Sequence, residues 1–354
     1  TDKSQQYNDA WIDYFSVGFP IFQNRLGAAI GLMPLSSINY RIVDSTIHEE
    51  IGDVVYNYSG SGKNYRTYIN LGLELMPEHL RDDFSFSLGS AFSYIFGYSE
   101  KQIRTEFNDT AYFLNSREIE GLYLNQLYWN GSAMAKIRLK EENNLKYQLS
   151  MSCQFDNGKQ MQVKRDVYWD RYINTYLGPD VKDTIKIIEG QNGVLNYPGG
   201  IHYGIAYQRT NTGPVGKLSE WMLAIDYKSR KWSQYSYYGE SSNLIDDYLL
   251  SIGGYLRPKA KKNIRPKTYY LGLYSGRSML ELYGNEIKRV GMSFGIGIPF
   301  RRLPGKTEQT SQLNIGVTLG KEGGKENDMI EERFIQIDFG VLMNSRWFKK
   351  RKFN

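Results

Sequence analysis

Cysteine occurs once, as Cys153, which excludes disulfide scaffolds, CxxC redox sites and cysteine-rich zinc sites together. Histidine occurs three times, at His48, His79 and His202, and leaves little material for an imidazole metal site. No run approaches the roughly 18 apolar residues of a transmembrane helix, and the mean hydropathy is −0.52. Helical membrane proteins are thereby excluded; barrels, which cross with alternating strands, are not. Proline is scarce, 10 residues against 35 glycines, while aromatic residues make up 14% of the 354 positions. That mixture favours glycine-relieved sheet over helix. The opening TDKSQQYNDAW has neither a charged n-region nor an apolar h-region and reads as a mature or truncated start.

The net charge is +6, from 44 Lys and Arg against 38 Asp and Glu. Nucleic-acid binding needs such charge gathered on one face. Here it is dispersed, except in residues 257–267 (RPKAKKNIRPK) and 349–352 (KKRK), so no nucleic-acid partner is expected.

Alternation with period two runs through most of the chain. Trp221, Leu223, Ile225 and Tyr227 share one face, and Met222, Ala224, Asp226 and Lys228 the other. Val290, Met292, Phe294, Ile296 and Ile298 oppose Gly291, Ser293, Gly295 and Gly297. Ile335, Ile337, Phe339, Val341 and Met343 oppose Gln336, Asp338, Gly340 and Leu342. A soluble sandwich and a membrane barrel both produce such strands. Segments 84–98 and 144–163 exceed the roughly 5–6 residues of sandwich strands and are long enough for a tilted membrane crossing. The polar faces carry Gly, Ser, Asn, Asp and Lys, as a wet lumen would, and aromatics gather near segment ends as interface girdles do.

The expected fold is therefore an all-β, antiparallel transmembrane β-barrel, a single domain over 1–354. Expected strands are 9–21, 24–37, 63–76, 82–98, 120–139, 145–166, 199–211, 218–233, 247–257, 268–282, 287–301, 310–320 and 333–348. Bacterial single-chain barrels have even counts, so about 14 strands are expected, with the first strand upstream of Thr1. Short connections alternate with long ones at 38–62, 99–119, 167–198, 234–246 and 321–332, the pattern of short periplasmic turns and longer external loops.

Two stretches resemble the FadL-like outer-membrane barrels of Bacteroidota. The first joins GLMPLSSINY at 31–40, YNYSGSGKN at 56–64 and FSFSLGSAFSYIFG at 84–97. The second is the C-terminal stretch 313–354, with its Arg346-Trp347-Phe348, basic residues and final aromatic. The resemblance implies the bacterial outer membrane, contact with its lipid and lipopolysaccharide, and a first strand and plug segment ahead of what looks here like the second strand. It implies one of two roles. One is a membrane-embedded subunit of envelope machinery such as the β-barrel assembly apparatus, partnered by other envelope proteins. The other is a channel for a hydrophobic ligand.

Catalysis, metal and cofactor are not expected. None of the three histidines lies beside a recognisable nucleophile motif. GSG at 60–62 and GG at 323–324 lack the Lys-Ser/Thr and helix of a phosphate loop. Residues 156–158 and 327–328 lack EF-hand spacing. Asp226, Asp338, Lys136 and Arg138 fall on polar strand faces and should face the lumen, as a polar pathway or as internal salt bridges. Arg257, Lys259, Lys261, Lys262, Lys349, Lys350, Arg351 and Lys352 are candidates for periplasmic docking to anionic headgroups or an acidic partner. Tyr168, Trp169, Tyr172, Tyr176, Tyr237 and Tyr238, in the expected external loops, are candidates for a partner surface, being residue types enriched at interfaces.

Overall fold

The computed structural model describes residues 8–344 except 23, 50, 108–112, 212–218, 260–265, 283, 303–309 and 325–330. The strands are β1 (Phe15–Phe22), β2 (Leu26–His48), β3 (Gly52–Glu74), β4 (Phe84–Phe107), β5 (Asn115–Glu142), β6 (Leu145–Asp156), β7 (Lys159–Thr175), β8 (Gly178–Tyr197) and β9 (Gly200–Asn211). They continue with β10 (Ser219–Arg230), the two-residue β11 (Ser236–Tyr237) and β12 (Glu240–Ser241), then β13 (Asp247–Arg257), β14 (Thr268–Leu282), β15 (Asn285–Arg302), β16 (Thr310–Gly323) and β17 (Glu331–Leu342). All 17 belong to one antiparallel sheet, and among the described residues the only helix is a 3-10 turn at Trp232–Gln234.

Register pairings order the wall as β1 to β6, then β9, β10 and β13 to β17. Residues paired directly across antiparallel strands point to the same face. One row runs Phe86, Ala135, Met151, Ile205, Ile225, Ile252, Leu273, Met292, Leu319 and Ile335, apolar across ten strands. The apolar sets of these ten strands therefore form one continuous belt on one face of the sheet. Tight turns hold the register: Asn143 and Asn144 both take positive φ (48° and 67°), as a two-residue hairpin of the primed type demands. On the face opposite the belt Tyr274 pairs with Gly291 and Phe334 with Gly320, and the rings lie where a glycine Cβ would stand. Glycine there lets an aromatic side chain fold flat over the sheet.

Two expectations change. The 38–62, 99–119 and 167–198 connections are mostly strand: β2 and β3 pair to His48 and Gly52, β4 and β5 reach Phe107 and Asn115, and β7 and β8 form a hairpin. Expected strand 145–166 breaks at Asn157–Gly158 into β6 and β7, which flank different parts of β5. β6 pairs with the lower part of β5 and β7 with its upper part, Asn115 to Leu124. The sheet is open: among the described residues no pairing joins β1 to β17. Those two strands run in the same direction, so pairing them would be parallel, whereas one intervening strand would restore an even, all-antiparallel count.

Candidate functional site

The wall is uneven in height. β2, β3, β4 and β5 have 23, 23, 24 and 28 residues, whereas β9, β10, β13 and β17 have 12, 12, 11 and 12. At about 3.3 Å per residue β2 spans about 75 Å, far beyond the 9–11 residues of a membrane-crossing strand. The surplus on one side forms a crown, ordered β2-β3-β4-β5-β7-β8.

The crown has its own core. Ile95, Leu124, Tyr128, Met161, Val163 and Leu195 are buried together on the face that continues the side opposite the belt. Segment 231–246 folds over them as a strap: β11 pairs with the base of β8, and Tyr235, Tyr237 and Tyr238 pack against the cluster. The Tyr237 hydroxyl donates to Glu120 Oε1 at 2.8 Å and the Tyr238 hydroxyl to the Gln191 carbonyl at 2.6 Å. Burial and the Glu120 hydrogen bond push the Tyr237 phenol up, so it stays a neutral donor. The Arg165 guanidinium lies 4.2 Å from the Tyr238 ring centroid and 3.5 Å from Glu120.

Beneath the strap, Arg230 joins crown to wall. Its Nη2 donates to Asp156 Oδ2 at 2.6 Å and its Nη1 to the Pro198 carbonyl at 2.8 Å, while its guanidinium stacks 4.8 Å from the Tyr197 ring. Asn130 and Gln154 also donate to Asp156, whose other oxygen is thereby occupied. The Asp156 carboxylate is thus a structural ion partner, with both oxygens committed to hydrogen bonds. Nearer the tip Arg117 forks onto Asp170 at 3.2 and 2.6 Å, and the Tyr172 hydroxyl donates to Glu106 at 3.0 Å. Burial, then the Glu106 hydrogen bond, push the Tyr172 phenol up to about 12.

Lys136, Arg138, Asp226 and Asp338 all share the face opposite the apolar belt, by register. Arg138 is paired with Asp83 and Glu141 near the short-turn end. Asp226 lies 3.3 Å from His202 Nε2, and Asp338 accepts from Gln336 Nε2 at 2.7 Å. The same face carries a bay of about 850 Å³ on β1 to β6, floored by small residues such as Gly27, Ala29, Gly72 and Gly89 and edged by Arg66 and Asn130. No group of three or more His, Cys, Asp or Glu is placed to hold a metal among the described residues.

The candidate partner residues separate. Tyr176 is 95% exposed at the β7–β8 turn, and Tyr168 and Trp169 are partly exposed on β7. Tyr172 is buried at 1%, so it does not offer surface; Tyr237 and Tyr238 point into the crown core instead of outward. Arg257 pairs with Glu220 and donates to the Thr268 hydroxyl at 3.1 Å each; Lys259 is exposed. Lys261, Lys262, Lys349, Lys350, Arg351 and Lys352 lie outside the described residues. The Arg230–Asp156 junction and the strap had no local motif to betray them; Asp156 stood out only as a loop carboxylate.

A family model for BamG matches residues 1–354. The chain belongs to the BamG family. Membership connects it with outer-membrane assembly by BAM, with other envelope proteins as associates, and with the outer membrane as its place; the all-β sheet is compatible with all three. The FadL-like resemblance is not part of that match. No curated protein matches the chain.

Proposed function

We propose that this protein is a non-enzymatic, membrane-embedded barrel subunit of the BAM assembly, its belt in outer-membrane lipid and its crown outside the cell against other envelope proteins. The observation that carries this reading is the division of labour along the strands. Belt residues such as Ile335 and Phe339 are 72% and 74% exposed on one unbroken apolar face, far more than a soluble surface carries in one patch. Above the belt the same strands build a crown with its own core, which barrel closure does not require. Lys136, Arg138, Asp226 and Asp338 then face a wet interior, where a charge avoids the cost of about 2–4 kcal/mol that Lys or Arg meets at the lipid midplane.

Passage of a hydrophobic compound is a second reading, supported by the bay on the inner face. Native purification in mild detergent with mass spectrometry separates the two. Other envelope proteins at a fixed ratio are expected; a lone barrel carrying lipid would reverse the assignment.

A further inference from the structure

Two adjacent register rows cross the belt face at its crown-side border, and both change character along the sheet. One runs Cys153, Tyr203, Tyr227, Leu250, Ser275 and Val290, then Lys321 and Arg333. The next runs Phe155, Ile201, Ser229 and Tyr248, then Arg277 and Lys288. On β6, β9, β10 and β13 the border is thus apolar, aromatic or neutral, as an interface girdle is. On β14 to β17 it carries four cations. These strands are neighbours, so at about 4.8 Å per strand the four lie within about 15 Å across the sheet. Basic residues on a lipid face are tolerated at the interface and costly at the midplane, which places this patch at headgroup depth.

Directly below the patch lies a groove of about 640 Å³, lined by Leu250, Ile252, Leu273, Val290, Met292 and Leu319 and bounded at its crown end by Lys321 and Arg333. The cations are held in place without being used up. Lys321 and Arg333 share Glu331, at 2.8 and 2.7 Å, and the Arg333 side chain stays 74% exposed. Arg277 pairs with Glu286 and lies 5.4 Å from the Tyr248 ring centroid, while Glu281 opposes Glu286 at the turn above. Lys288 is exposed and forms no ion pair among the described residues.

We propose that the groove and the basic patch above it form a binding site for one phosphorylated acyl lipid of the crown-side leaflet, its chains in the groove and its phosphate on Lys288, Lys321 and Arg333. The proposal rests on the belt-in-lipid reading above and names the lipid class that the belt selects. Charge complementarity sets the headgroup: guanidinium and ammonium donors bind phosphate, and a neutral lipid gains nothing from them. The apolar lining sets the rest of the ligand. An acidic polypeptide fits less well, because a segment lying in the groove would leave backbone N–H and C=O groups facing lipid without partners. Acyl chains carry no such groups.

The test uses the full chain in a neutral detergent, lipid A as the probe and native mass spectrometry to count bound lipid. Lipid A should be retained, and its dephosphorylated form about tenfold less. Lys288→Gln and Arg333→Gln should each lower retention by about tenfold, the loss of one charge-assisted hydrogen bond. Neither leaves a carboxylate orphaned, since Lys288 has no ion partner and Glu331 keeps Lys321, so heat-modifiable migration should persist. Val290→Trp, which fills the groove, should lower retention as well, and Lys259→Gln at the short-turn end should not. Equal retention of the dephosphorylated lipid, or an equal loss with Lys259→Gln, would overturn the headgroup site. Binding of inorganic phosphate with no effect of Val290→Trp would make it a free-anion site and overturn the lipid assignment. Flotation with phosphatidylcholine vesicles separates the two claims: a chain that inserts yet retains no lipid A refutes the site alone, and a chain that does not insert refutes the barrel reading beneath it.

Discussion

Ile337→Arg and Asp338→Asn change neighbouring residues on opposite faces of β17. Ile337 is 59% exposed and stands in the belt row with Leu271, Phe294 and Val317. Arginine in that position costs about 2–4 kcal/mol at the bilayer midplane. Asp338 accepts one hydrogen bond from Gln336 at 2.7 Å, and asparagine keeps an acceptor oxygen there, so its loss is about 1 kcal/mol or less. The difference, about 2 kcal/mol, corresponds to roughly a thirtyfold change in the folded-to-unfolded ratio. Heat-modifiability of the outer-membrane fraction and urea titration of protein refolded into lipid vesicles read it directly. Phe339→Arg should behave like Ile337→Arg, and Gln336→Arg like the tolerated change. Equal loss on the two faces, or greater loss at Asp338, would refute the assignment of belt and interior.

Arg230→Ala should lower stability by about 3–5 kcal/mol, because it leaves the half-buried Asp156 carboxylate without its cation, and Arg230→Lys should restore less than half, since lysine keeps the charge but not the fork and the stack on Tyr197; urea midpoints check both. Tyr237→Phe should cost about 1 kcal/mol and show as faster hydrogen exchange confined to the 231–246 strap, the wall amides being unchanged. The Ser233 hydroxyl and amide hold Asp246 below the ordinary carboxylate range, so its stabilisation is present at neutral pH and lost as pH falls through that lowered value. Strap exchange should therefore accelerate only in acid, and Asp246→Asn should remove that dependence. A thiol placed at Ser45 should label from outside intact cells and one at Lys259 should not; the reverse pattern would invert the topology.

The belt was legible in the sequence because strands with one apolar and one polar face carry period-two hydrophobicity. Expected strands 247–257 and 268–282 coincide with β13 and β14. The crown was not, because strands such as β2 above Pro34 and β8 lack a sustained apolar alternation, and their mixture of charged, small and β-branched residues resembles loop. The Tyr172 and Tyr237 side chains show the same limit. Their burial is decided by Glu106 and Glu120, 66 and 117 residues away along the chain, so composition marked the residue type while distant pairing set the direction it points. The polar assignment of Asp226 and Asp338 needed only the strand itself, since one residue of register fixes the face.

Depletion of this protein, with quantification of folded barrels across the outer-membrane proteome, tests the central claim most directly. A BAM subunit predicts a broad fall in heat-modifiable barrels at unchanged synthesis, before any change in uptake. Undiminished barrel assembly alongside a selective loss of hydrophobic-compound uptake would contradict it.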